Sequence, residues 1–152
     1  MRAIILAAGR GSRMGDLTKN SLKCLIPFKK RALIEWQLDT LYEAGIDQVS
    51  IVTGYKQELL NKYKITKFYN PNWAQTNMVA SLVCAQRWLK SEPCIVAYSD
   101  ILYTTQTIVS LMNSESPLSI TYDPNWKNIW KKRFGDPLID AETFKLGQNN
   151  IK

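Results

Sequence analysis

Four short apolar runs, each the length of a β-strand and separated by amphipathic stretches, restrict the architectures open to this chain more than any other feature. Arg2 to Ala8 (RAIILAA) is almost unbroken apolar sequence, as is Pro93 to Tyr98 (PCIVAY), and both read as strands covered on two faces. Val49 to Thr53 and Ile65 to Tyr69 are the other two. Leu33 to Ala44 lies between them with Ile34, Leu38, Leu41 and Tyr42 on one helical face, and Gly45 follows as a C′ residue. Gln57 to Tyr63 reads as a short helix, and Asn70 to Asn72 as a turn. Thr76 or Asn77 caps a helix running to about Lys90, with Val79, Leu82, Val83 and Leu89 inward. Thr104 to Met112 reads as a helix and Leu118 to Tyr122 as a fifth strand; no element is assigned over 124–152. Strands alternating with helices require crossover connections, so the expected class is α/β: a Rossmann-like, mostly parallel sheet sandwiched by helices. The 152 residues fit one domain over 1–152.

Composition narrows the chemistry. The chain contains no histidine, so a histidine base, a histidine metal ligand or a Ser-His-Asp triad has no counterpart in it. Lysine, arginine, carboxylates and a metal are what remain. The 20 basic against 13 acidic residues give +7, but the lysines are dispersed and form no arginine-rich stripe. An anionic small-molecule substrate is therefore expected rather than nucleic acid. Cys24, Cys84 and Cys94 show no CxxC spacing, and Cys84 and Cys94 sit in apolar sequence; buried reduced thiols are expected. No apolar run approaches the roughly 18 residues of a membrane span. The short first run is followed by Gly9, Arg10 and Arg13 instead of a cleavage site, so it reads as a strand, and a cytoplasmic location without membrane partners is expected.

In a parallel sheet, ligands bind beyond the carboxyl ends of the strands. Two features fall there: the long loop 9–30 after the first strand, and Asp100 after the PCIVAY strand. The loop opens as Leu6-Ala7-Ala8-Gly9-Arg10-Gly11-Ser12-Arg13-Met14-Gly15. Gly9 and Gly11 let backbone N–H groups approach phosphate oxygens, and Ala7 and Ala8 leave room for a flat base. The spacing is neither a dinucleotide fingerprint, which needs glycine where Met14 stands, nor a P-loop, which needs a following Gly-Lys-Ser/Thr.

The string LAAGxGxRMG followed by Lys23 resembles the signature of the nucleotidyltransferase superfamily that includes the sugar-nucleotide pyrophosphorylases and the phosphocholine cytidylyltransferases. With the helix near 33–44, the segment ending Val52-Thr53-Gly54-Tyr55 and Asp100, the resemblance covers nearly all of the chain. It implies a fold of the nucleotide-diphospho-sugar transferase type with an incomplete C-terminal acceptor part. It also implies roles. Leu6, Ala7, Ala8, Gly9, Gly11, Ser12, Arg13 and Gly54 bind the nucleotide, Arg13 contacts the β- and γ-phosphates, Lys23 touches the α-phosphate and the incoming phosphate, and Asp100 holds Mg²⁺. The chemistry suits those residue types. The attacking group is already an anionic phosphate oxygen and needs no base, whereas two polyanions must be neutralised as they meet. Leu22 stands where the family commonly has proline, and Ser99 where many members have glycine.

Around Asn72 to Leu82 the chain resembles the phosphocholine cytidylyltransferases of bacterial cell-surface polysaccharide synthesis more than the glucose-1-phosphate branch. That resemblance points to CTP and phosphocholine, or a related aminoalkyl phosphate or phosphonate. Thr76 and Asn77 either read the cytosine edge or simply cap their helix. Tyr122, Trp126 and Trp130 either cage a quaternary ammonium by cation–π attraction or pack as an ordinary aromatic stripe. Asp136, Asp140 and Glu142 offer further carboxylates. Three other readings stay open: a sugar-1-phosphate nucleotidyltransferase using UTP, dTTP or GTP, a molybdopterin guanylyltransferase, whose signature LAAGxGxRMG also resembles, and a nucleotide-binding module without turnover.

Overall fold

The computed structural model describes residues 1–139, and these divide after Pro117 into two compact units, Met1–Pro117 and a second that begins at Leu118. The first unit is built on a four-stranded parallel sheet of β1 (Arg2–Ala7), β4 (Val49–Thr53), β5 (Thr66–Tyr69) and β6 (Cys94–Tyr98), in the order β5-β4-β1-β6. A two-stranded antiparallel hairpin, β2 (Pro27–Phe28) and β3 (Arg31–Ala32), begins within the 9–30 stretch expected to be loop and runs just past its end. Its turn places Lys29 and Lys30 at φ 48° and 68°, a twist that favours the hairpin but is costly for lysine.

β1 is the central strand, and its alternation explains the apolar run. Ala3, Ile5 and Ala7 face one core with Val49, Ile51 and Ile95, closed by Ile34, Leu38 and Leu41 of α1 (Leu33–Glu43) and Ile108 of α4 (Thr105–Met112). Ile4 and Ala8 face a second core with Val52 and Phe68, closed by Ala85 and Trp88. A strand buried on both faces has no polar side to alternate with.

α1 ends as the sequence predicts. Gly45, at φ 84°, donates its N–H to Tyr42, and Ile46 donates to Leu41, the paired bonds of a Schellman cap. The inward face differs by one residue: Tyr42 is exposed, and Gln37 is buried with Ile34, Leu38 and Leu41. The spacing 34, 37, 38, 41 is the helical repeat, with a polar residue occupying one of its apolar positions.

The helix expected to run from Asn77 to about Lys90 is two short ones, α2 (Met78–Val83) and α3 (Gln86–Leu89). Its expected inward face is corrected as well. Val79 is 62% exposed, Val83 and Leu89 are exposed too, and Leu82 is half-buried, while Ser81, Ala85 and Trp88 point inward. Two causes turn the helix. Asn70, buried at the end of β5, donates from Nδ2 to Ser81 Oγ at 3.0 Å, and Trp88 packs edge-on against Phe68 with centroids 5.6 Å apart. Val79 lines an apolar groove with Leu6, Leu82, Val96 and Tyr98 along β6, the edge strand.

Leu118 to Tyr122 forms no strand; Leu118 is 85% exposed, and no ladder partner for the segment occurs among the described residues. Alternating apolar residues give a strand its faces but not the neighbour that accepts its backbone hydrogen bonds. The second unit contains α5 (Trp126–Arg133), introduced by Asp123, whose Oδ1 accepts from Asn125 N at 2.8 Å. Asp136 Oδ1 accepts from Leu138 N at 2.9 Å. Asp140 and Glu142 lie outside the described residues.

All three cysteines are free thiols, but the fully buried one is Cys24, while Cys84 and Cys94 are half-buried. Burial pushes the Cys24 thiol up to about 12. The folded chain therefore keeps a proton that the unfolded chain releases near its ordinary value. Stability from this source is intact below about pH 9 and falls by about 1.4 kcal/mol per unit as pH rises from there towards 12. Urea unfolding at pH 8 and pH 10 should show a larger loss for the native chain than for Cys24→Ala; equal losses would refute the assignment.

Candidate active site

The chain order within the sheet creates the site. From β1 the chain moves to β4 and β5 on one side, then crosses to β6 on the other, so the strand order reverses between β1 and β6. A crevice opens at such a point, beyond the carboxyl ends of the two strands. The loop after β1 and the Ser99–Asp100 turn after β6 flank it, held in register by Ser99 N donating to Leu6 O at 3.2 Å.

Gly11 adopts φ 68°, a left-handed turn that sends the chain into the 3-10 turns Ser12–Thr18. Its carbonyl accepts from Thr18 Oγ1 at 2.9 Å and from Met14 N at 3.0 Å. A Cβ at Gly11 would stand 3.5 Å from Lys23 Cβ, so the glycine loop and the lysine are direct neighbours. Lys23 opens a second 3-10 turn, Lys23–Leu25, flanked by buried Leu22 and Cys24, so the backbone beside it is anchored in the core. Lys23 Nζ is ion-paired with Asp100 Oδ2, both side chains about one-third exposed. Gly11, Lys23 and Asp100 thus converge across 77 residues of sequence separating the last two.

Gly54 is a contact point rather than a free edge. A Cβ there would meet Trp73 Cβ at 2.5 Å and the Ala8 carbonyl at 2.7 Å. The same Ala8 carbonyl accepts from Tyr55 N at 2.9 Å, the Tyr55 ring centroid lies 5.2 Å from that of Trp73, and the Arg10 guanidinium lies 5.8 Å from the Tyr55 centroid. Trp73 and Tyr55 therefore wall the first loop, a role the sequence reading did not assign. Ala7 and Ala8 are buried, Leu6 is half-buried, and Gly9, Ser12 and Arg13 are exposed at the loop surface.

Thr76 and Asn77 are both exposed and both engaged. Thr76 Oγ1 accepts from Asn70 Nδ2 at 2.9 Å and donates to Asn72 O at 2.9 Å. Asn77 Oδ1 accepts from Ala80 N at 3.1 Å as the N-cap of α2, which leaves its NH₂ group outside the cap. Asn70, read from sequence only as part of a turn, is the joint of this segment: its Oδ1 also accepts from Asn72 N at 3.0 Å. Tyr122, Trp126 and Trp130 belong to the second unit, the two tryptophans half-buried one turn apart on α5. The Arg133 guanidinium lies 6.0 Å from the Trp130 ring centroid and supplies that ring with a cation.

Among the described residues no three His, Cys, Asp or Glu side chains gather to hold a metal ion. A metal bound by protein alone does not fit the described residues. One shared between a single carboxylate and triphosphate oxygens does, because magnesium commonly takes one or two carboxylates and completes its shell with phosphate and water. Asp100, partly exposed at the mouth of the crevice, has that chemistry.

A glycine turn, a core-anchored lysine and an aspartate meet at the switch point of a parallel sheet, the place where α/β domains of this kind bind their ligands. The chain belongs to the MobA-like NTP transferase domain family, which it matches over residues 3–138. It is 38% identical to the CTP:phosphoglutamine cytidylyltransferase of Campylobacter jejuni, over 99% of this chain and 64% of that protein. It is 31% identical to the choline-phosphate cytidylyltransferase of Streptococcus pneumoniae, over 90% of this chain and 60% of that protein. The solved structure of the pneumococcal CTP:phosphocholine cytidylyltransferase superimposes with a TM-score of 0.61 at 32% identity, over 69% of this chain and 49% of that one. The chain thus spans about two-thirds or less of the length of these relatives. The expected superfamily and fold class are borne out, and no helix among the described residues is long and apolar enough to cross a membrane.

Proposed function

We propose that this chain is the nucleotide-binding part of a cytidylyltransferase that transfers CMP from CTP to phosphocholine or a related small phosphorylated or phosphonate amine, releasing pyrophosphate. The observation that carries the reading is the meeting of Gly11, Lys23 and Asp100 at the β1/β6 crevice. The loop Ala8 to Gly11 would hold base and phosphates through backbone N–H groups, with Arg13 towards the β- and γ-phosphates. An oxygen of the acceptor phosphate attacks the α-phosphorus, the bond to the β-phosphate oxygen breaks, and pyrophosphate leaves. Lys23 would neutralise the two phosphates brought together. Asp100 would hold Mg²⁺, which screens the triphosphate when bound. The two named relatives act on phosphoglutamine and choline phosphate, so the common element is a small phosphate whose carrier also bears nitrogen. In the second unit, Tyr122, Trp126 and Trp130 are proposed contacts for that carrier. The reading places the enzyme in the cytoplasm, where CTP is made.

Pyrophosphate release measured with each of the four NTPs against phosphocholine, phosphoglutamine, 2-aminoethylphosphonate and glucose 1-phosphate tests it. The expected result is Mg²⁺-dependent release with CTP and one of the first three. Release confined to UTP, dTTP or GTP with the sugar phosphate would replace the cytidylyltransferase reading. CTP binding with no release under any acceptor would leave a binding module.

A further inference from the structure

Gln37 is the polar residue that α1 buries. It is 1% exposed, on the face that otherwise carries Ile34, Leu38 and Leu41. Its Nε2 donates to Tyr98 O at 2.8 Å and to Ile101 O at 2.6 Å, and its Oε1 is buried with no hydrogen-bond partner among the described residues. An unsatisfied buried acceptor is unfavourable, and a leucine at this position would remove it. The orientation of the amide explains what is gained: both of its protons go to the two carbonyls that bracket Ser99 and Asp100.

The same helix packs under the opposite side of the crevice. Ile34 and Leu38 share an apolar cluster with Leu22 and Cys24, the neighbours of Lys23 on either side. α1 is therefore a common support for the lysine, through apolar packing, and for the aspartate, through the Gln37 amide. We propose that Gln37 is a positioning residue that sets the Asp100 turn relative to Lys23, and thereby the carboxylate that meets the metal–nucleotide complex. The inference rests on the cytidylyltransferase reading and names the buried residue that holds its metal carboxylate in place.

The test compares Gln37→Met, which keeps the volume but removes both donors, with Leu41→Ala, which opens a cavity one turn further along α1. Mn²⁺ binding to each chain in the presence of CTP is followed by the electron paramagnetic resonance of free Mn²⁺, together with kcat, the KM for CTP and the thermal midpoint. Gln37→Met should weaken Mn²⁺ binding and lower kcat, each by about tenfold or more, with the KM for CTP changed by less than about threefold. Leu41→Ala should lower the midpoint and leave Mn²⁺ affinity as it was. If Gln37→Met does not fold, Gln37→Asn, which keeps the amide one methylene short, is read in the same way. Native Mn²⁺ affinity in the Gln37 variant, or an equal loss in Leu41→Ala, overturns the proposal while the wild-type chain still binds Mn²⁺ with CTP. Absence of CTP-dependent Mn²⁺ binding in the wild type overturns the functional reading and this inference together.

Discussion

Lys23→Ala is expected to lower turnover with CTP about a thousandfold, close to 4 kcal/mol of lost transition-state stabilisation, while CTP affinity changes little. The asymmetry follows from what the ammonium would do. On the proposed function, ground-state CTP would have the glycine loop, Arg13 and a metal to hold it, whereas the charge that accumulates as the acceptor phosphate approaches would be met by Lys23. Folding should hardly register the change, because the ion pair with Asp100 is partly exposed and such pairs contribute at most about 1 kcal/mol. Stopped-assay kcat alongside equilibrium dialysis of CTP separates the possibilities. A folded variant with native turnover removes Lys23 from the chemistry; one that simply fails to bind CTP assigns it to ground-state binding.

The second large effect is on stability. Gly54→Ala places a methyl group where Trp73 Cβ and the Ala8 carbonyl already stand 2.5 and 2.7 Å away. Neither neighbour is a flexible tip: one is the root of a tryptophan packed on Tyr55, the other a backbone oxygen bonded to Tyr55 N. The loop after β1 and the segment 70–77 must separate, at a cost of about 3 kcal/mol, or roughly a 10 °C fall in the thermal midpoint for a chain of this size. Because the displaced backbone is the loop proposed to hold the nucleotide, the KM for CTP should rise as well. A variant that melts with the wild type would show that the contact is not tight in solution.

Different parts of this molecule were legible to different degrees. The strands of the sheet were readable because burial on two faces leaves an apolar run with no other use, and β1, β4, β5 and β6 fall where the runs do. The end of α1 was readable because Gly45 satisfies a local backbone requirement. The α2–α3 region was misread because its exposed valines carry the apolar periodicity while Ser81 and Ala85, small and weakly hydrophobic, do the packing. The packing roles of Gln37, Asn70 and Trp73 could not be read for a related reason. Each is defined by what it touches elsewhere along the chain: the carbonyls at and just beyond the end of β6, the hydroxyl of Ser81, the space where Gly54 lacks a side chain.

By itself, then, the sequence determined the class of fold and the residue types at the crevice, since strand burial, glycine turns and a family signature are recorded in consecutive residues. Only the tertiary structure decided that Lys23 meets Asp100, that Gly54 is sealed by Trp73 and that Gln37 lies beneath the aspartate. The physical reason is that hydrophobic periodicity reports how much of a residue is buried, whereas hydrogen bonds and ion pairs depend on which atom of a distant segment arrives within 3 Å, and that is set by how the helices seat on the sheet.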